Sequence, residues 1–193
     1  MKLFILLALS LFMFQCASNN LPALYKNYNS SEYLFWSNAR KLAWDDFKGI
    51  PMDLSGKTAS GIHVYNPASI EMQNIFTPAK LTAICVFDKN TSWVNLKVAS
   101  NSLLLYDQVI FDIYELYTRK LREQFDKTNF NISDYKEKFR RLTEKNNREL
   151  IKEVEQLRKD TYSGQISEAT KLWNYKISNE LNSLEKYSSE YFK

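Results

Sequence analysis

Histidine is almost missing from this 193-residue chain, which has only His63. A Ser or Cys nucleophile needs an imidazole base, and a hydrolytic zinc site needs two imidazoles one helical turn apart. One histidine in the strand-like stretch Gly61-Ile62-His63-Val64-Tyr65 serves neither chemistry, so His63 reads as a surface or hydrogen-bonded core residue. Cysteine is nearly as scarce. Cys16 lies at the end of an apolar N-terminal run, which leaves Cys85 alone in Leu81-Thr82-Ala83-Ile84-Cys85-Val86-Phe87. A single thiol cannot form an internal disulfide, so Cys85 reads as a small buried core residue. Gly-x-Ser-x-Gly is absent, which removes the usual hydrolase elbow. The 4 Gly and 4 Pro stand against 12 Tyr, 12 Phe and 4 Trp, a composition that excludes a disordered or collagen-like chain. No run of one charge sign occurs either. Net charge is +4, but Lys and Arg alternate with Asp and Glu through the C-terminal half, which argues against nucleic-acid binding.

What is present begins with an export signal over residues 1–18. Lys2 supplies the positive start, and Leu3 to Phe14 form an apolar run too short to span a bilayer comfortably. Two processing routes compete. Met13-Phe14-Gln15-Cys16 resembles a loose lipobox with Cys16 as the lipidated residue, and Cys16-Ala17-Ser18 is a small-x-small cleavage site. Lipidation of Cys16 is the favoured route, giving a periplasmic or outer-membrane lipoprotein held to the membrane by that anchor. Residues 19–31, rich in Asn and Ser, suit a polar tether, and residues 32–193 suit one domain.

The expected fold class is α+β, with a mainly antiparallel sheet followed by a three-helix C-terminal half. Glu32–Trp36, Thr58–Tyr65, Ser69–Phe76, Leu81–Asp88 and Trp93–Ala99 are short, strand-like and punctuated by Gly, Pro and Asn. After Asn101 there is no proline, and apolar residues return at helical spacing. The first helix should bury Leu103, Tyr106, Ile110, Ile113, Tyr117 and Leu121. A second opens with Asp134 as cap and Glu137 three residues on, buries Phe139, Leu142, Leu150, Val154 and Leu157, and ends at Tyr162-Ser163-Gly164. A third carries Ile166, Ala169, Trp173, Ile177, Leu181 and Leu184 on one stripe.

Several motifs occur in order: Leu42-Ala43-Trp44-Asp45-Asp46-Phe47-Lys48-Gly49-Ile50-Pro51, Thr58-Ala59-Ser60-Gly61-Ile62, Ser92-Trp93-Val94, the helix Leu104 to Arg119, and Asp160-Thr161-Tyr162-Ser163-Gly164 followed by Lys171-Leu172-Trp173-Asn174. Together they resemble the bacterial family known as domain of unknown function 922, regarded as secreted zinc-dependent proteases, over most of residues 32–185. The resemblance implies a peptidase-like domain with a zincin-like helix arrangement. It places the family's His-Glu-x-x-His on Tyr106, Asp107 and Ile110, and its later third histidine on Ser163. All three presumed ligands are therefore replaced, and the presumed general base is shortened to Asp107. Gln108, Phe111, Asp112, Ile113, Glu115, Tyr117, Arg119, Gly164, Trp173 and Asn174 match the family pattern, so the scaffold is expected to outlast the site.

These residues imply no catalytic residue, no metal and no cofactor, and they point to a catalytically inactive envelope protein that binds an unknown envelope protein or peptide or plays a structural part. A hydrolase using carboxylate chemistry at the same place is the alternative. Asp112 and Glu115 are three residues apart and able to share a helix face, but no tight acidic loop of the kind hard cations need accompanies them. A filled apolar junction around Tyr106 and Ile110 would favour the inactive scaffold. A polar cleft lined by Tyr106, Asp107 and Ser163 would favour a ligand site or an enzyme. Asp107 is expected beside the buried stripe, where changing it to Asn should cost under about 1 kcal/mol.

Overall fold

The computed structural model of the chain describes residues 22–51 and 59–189. The expected export signal with Cys16, and Thr58 at the head of an expected strand, lie outside them. The architecture is α+β, with short antiparallel strands preceding three long helices. Among the described residues, no helix is long and apolar enough to cross a membrane.

The segment read as a tether is packed from residue 22 onward. A single helical turn, α1 (Ala23–Lys26), buries Tyr25 in a small cluster with Ile84 and Val86, and the Tyr25 ring stacks on Phe35 at 5.7 Å. The Asn/Ser content of this stretch masks Tyr25, whose ring gains more from burial than the polar neighbours lose. The folded unit therefore begins before residue 32.

Among the described residues, seven short strands form three separate antiparallel sheets in place of one: β1 (Tyr33–Phe35), β6 (Val86–Asp88) and β3 (Val64–Tyr65) in that order, then β2 (Ser60–Gly61) with β7 (Trp93–Val94), and β4 (Ala68–Glu71) with β5 (Lys80–Ala83). The run Leu81–Asp88 changes partner midway. Ile84 N–H donates to Pro67 O, whereas Cys85 O accepts from Trp36 N–H, so its first half belongs to the β4 hairpin and its second half to the β1–β6–β3 sheet. The Thr58–Tyr65 stretch divides in the same way, because Gly61 pairs with Trp93 and Val64 with Phe87. Cys85 is buried as expected, and burial pushes its thiol well above its ordinary pKa.

The helices are α2 (Asn101–Asp126), α3 (Tyr135–Thr161) and α4 (Ser167–Ser183), the last followed by a 3-10 turn (Glu185–Tyr187). Ser100 starts α2 by accepting the Leu103 N–H at 3.2 Å on its hydroxyl, satisfying one of the donors a helix start leaves unpaired. Asp134 precedes α3 but does not cap it. Its carboxylate accepts from Asn131 N–H and pairs with Lys138, and Glu137 is drawn outward to Arg140 and Arg141. Leu150, Val154 and Leu157 are buried as expected, whereas Phe139 and Leu142 are only half-buried. On α4 the buried line is Thr170, Trp173, Ile177 and Leu181, with Ile166 exposed.

The larger departure concerns α2. Every residue from Tyr106 to Ile113 is buried, so this helix is the axle of the fold rather than an amphipathic surface helix. α3 and α4 cover one side, and the strands with residues 36–47 cover the other. Its polar residues are consumed by that second side. Asp112 accepts from Trp36 Nε1 at 2.6 Å and from Gln108 Nε2 at 2.7 Å, while Gln108 Oε1 accepts from Leu42 N–H at 2.7 Å. Glu115 turns instead to Arg119 and Arg122. Asp112 and Glu115 thus serve different networks and build no shared site.

Candidate functional site

Three segments far apart in sequence meet at the N-terminal part of α2. The first is β2, held against Trp93 so closely that a Cβ on Gly61 would stand 2.5 Å from the indole Nε1. The second is α2 from Ser102 to Ile110. The third is the turn between α3 and α4, where Tyr162, Ser163 and Gly164 have φ of 49°, 54° and 84°. Three successive left-handed residues are costly for Tyr and Ser and natural for Gly. They fold the chain back so tightly that a Cβ on Gly164 would stand 2.8 Å from Tyr106 Cβ and Cγ. Gly164 N–H donates to Thr161 Oγ1, and Ser102 Oγ donates to Gly164 O at 3.2 Å, which fastens the turn to the first turn of α2.

Between these segments lies a cleft of about 590 Å³, lined among others by Ser60, Tyr106, Asp107, Ile110, Arg158 and Ser163. All four positions singled out in the sequence, Tyr106, Asp107, Ile110 and Ser163, therefore come together. The junction between them is not filled. Tyr106 and Ile110 are buried as expected, but they form a wall of a cleft whose remaining lining mixes polar groups with apolar ones such as Ile62, Val98 and Leu103. His63 takes no part. Its N–H donates to Ser92 Oγ at 2.9 Å, away from the cleft lining.

Asp107 is the most perturbed group in the cleft. It is only 1% exposed, and burial pushes its carboxyl from 3.8 up to about 7, against a smaller opposing pull from a hydrogen bond with the Ser60 side chain. Its Oδ2 has no hydrogen-bond partner among the described residues. It does not lie beside the buried stripe but deep in the wall, because α2 is covered on both sides. The Tyr106 phenol is raised by burial, while the Arg158 guanidinium beside it and hydrogen bonds with Arg158 and Ser163 pull it back. Arg158, in the last turn of α3, was not legible in the sequence as part of a site, because its neighbour Lys159 is a cation too and does not line the cleft.

The donor set does not fit zinc. Tyr106 and Ser163 offer neutral hydroxyls, one engaged by Arg158, Ile110 offers nothing, and Asp107 is a lone carboxylate, where a zinc site takes at least three imidazole, thiolate or carboxylate donors. Among the described residues, no three His, Cys, Asp or Glu side chains converge as a metal-binding group.

Ile110→Ala should lower stability by about 2 kcal/mol, the small end of the range for buried Ile to Ala, since one side of Ile110 already borders the cleft. An unchanged urea midpoint would show Ile110 to be lining alone and not core. No family model matches the chain, and no curated protein or solved structure matches it.

Proposed function

We propose that the protein is a catalytically inactive, zinc-peptidase-like module of the bacterial envelope that binds a ligand, an envelope peptide or protein segment, in the cleft between β2, α2 and the α3–α4 turn. In this reading α2 is the counterpart of the zincin helix, the turn at Ser163 is the counterpart of the third-ligand segment, and a lipid on Cys16 holds the domain at the membrane. One observation carries it: positions 106, 107 and 110 and position 163, matched to a zinc site on sequence alone, line the same cleft. The residues that resemble the family outside the cleft have structural tasks that account for them. Gln108 and Asp112 bind the 36–42 segment, and Arg119 is buried beside Glu115.

A second reading has its own observation. A carboxyl raised to about 7 with one oxygen unpartnered is poised as a general acid or base near neutral pH, as a hydrolase without zinc would need.

Metal analysis of the purified, dialysed full-length chain tests the first reading, with less than stoichiometric zinc expected because imidazole donors are missing. One zinc per chain retained through dialysis would sink it. Turnover of peptide or ester substrates that disappears in Asp107→Asn would instead establish the second.

A further inference from the structure

The cleft contains one acidic group with no cation to answer it. Asp107 makes no ion pair among the described residues, and its Oδ2 is buried and unpartnered. The cleft's own cation, Arg158, is engaged with the Tyr106 phenol. A buried carboxylate without a counter-charge is costly unless a ligand supplies one. A divalent metal ion is a poor candidate, because hard cations gather six or more oxygens, often from several carboxylates, and here no second acidic side chain lines the cleft. A protonated amine needs only one carboxylate and neighbouring hydroxyls, and Ser60 stands beside Asp107.

We infer that the cleft recognises a ligand bearing a primary ammonium group, seated against Asp107 Oδ2, with an anionic group of the same ligand turned toward Arg158 and Tyr106. This rests on the cleft being a binding site, as proposed above. The titratable groups facing Asp107 across the cleft are Tyr106 on α2 and Arg158 on α3; β2, the residues before α2 and the start of α4 contribute serines, Gln165 and apolar groups. Burial raises the Tyr106 phenol above its ordinary value, so the Asp107 carboxyl, raised to about 7, is the group that sets the pH dependence between pH 6 and 8.

The test uses three probes of equal length: 6-aminohexanoate, hexylamine and hexanoate, titrated into the full-length protein and followed by amide NMR. The two ammonium probes are expected to shift resonances of Ser60, Asp107 and Gly164 and to bind about tenfold more tightly at pH 8 than at pH 6, because only the ionised carboxylate receives them. Asp107→Asn, its fold checked by the same spectrum, should abolish hexylamine binding. Arg158→Gln should keep hexylamine binding and remove any advantage of 6-aminohexanoate over it. Ammonium binding that survives Asp107→Asn, or that weakens as pH rises, overturns the inference. Hexanoate shifting the cleft while hexylamine does not would leave the cleft a ligand site and remove the ammonium assignment. No shift in the cleft from any probe overturns the assignment as well. Stoichiometric zinc in the purified protein would defeat the inactive-scaffold reading whichever way the amines behave.

Discussion

Asp107→Asn is expected to make the protein more stable at pH 8, by about 2–4 kcal/mol, and to leave it nearly unchanged at pH 4. An acid whose folded pKa is raised favours the folded state while protonated and loses that contribution as pH climbs through the folded value. Here the window runs from 3.8 to about 7. At about 1.4 kcal/mol for each tenfold change in proton affinity, the ionised carboxylate costs roughly 4 kcal/mol above that window, and Asn gives back part because its amide is also poorly satisfied in the wall. Urea denaturation of parent and variant at several pH values reads this directly. Asp112 and Glu115, also raised by burial, are present in both proteins, so the difference isolates Asp107. Equal midpoints at pH 8 would mean that water or an opposing charge already reaches the carboxylate. This expectation reverses the small loss foreseen from the helical wheel.

Arg119→Ala is expected to be the most damaging single change, with a loss of roughly 3–5 kcal/mol, the range for a buried pair stripped of one partner. Arg119 is 1% exposed. Its Nε donates to Glu115 Oε1 at 2.9 Å, its Nη1 donates to Leu181 O at 2.8 Å and to Glu185, and its guanidinium lies 5.0 Å from the Trp36 ring centroid. It therefore joins α2 to the end of α4 and to the chain leaving β1. Arg122 Nη1, 3.4 Å from Glu115 Oε1, keeps a second and longer cation contact on that carboxylate, which holds the loss toward the lower end of the range. The double change Arg119→Met with Glu115→Leu should recover much of the loss, since it removes both charges. A deficit no smaller than that of the single variant would show that the bonds to Leu181 and Glu185 matter more than the ion pair.

The sequence was informative wherever a residue's own chemistry decides its place. Helical spacing located α2, α3 and α4, Tyr162-Ser163-Gly164 marked the stop between the last two, and Cys85 lies in the core as its neighbours imply. It was uninformative where the partner decides. Leu81–Asp88 and Thr58–Tyr65 are extended, but alternation alone does not tell which strand each half will meet, and both changed sheets midway. The same limit governs α2. A wheel drawn from 103, 106, 110, 113 and 117 shows one apolar stripe, while the second buried face includes Gln108 and Asp112, whose suitability for burial depends on Trp36, Lys41 and Leu42 arriving from elsewhere, and Glu115, which Arg119 and Arg122 answer from the next two turns of α2. At the candidate site, four positions were legible through their resemblance to a metal site. That they would border open space was not, because the cleft is what the tight turn at Gly164 and the β2 strand leave between them.

The docking of Tyr25 has a consequence for how the domain is handled by its surroundings. Its hydroxyl lies 3.2 Å from Ser189 Oγ, so residues more than 160 positions apart in sequence occupy one pole of the fold. Tension applied between that N-terminal segment and a C-terminal attachment would pull across this short gap and not through α2, and it would detach the α1 turn before loading the helices. The same adjacency makes the fold open to rewiring: a short linker between the two ends, with new termini cut into the exposed β4–β5 hairpin loop around Ile75 and Phe76, would preserve every helix and leave the cleft intact.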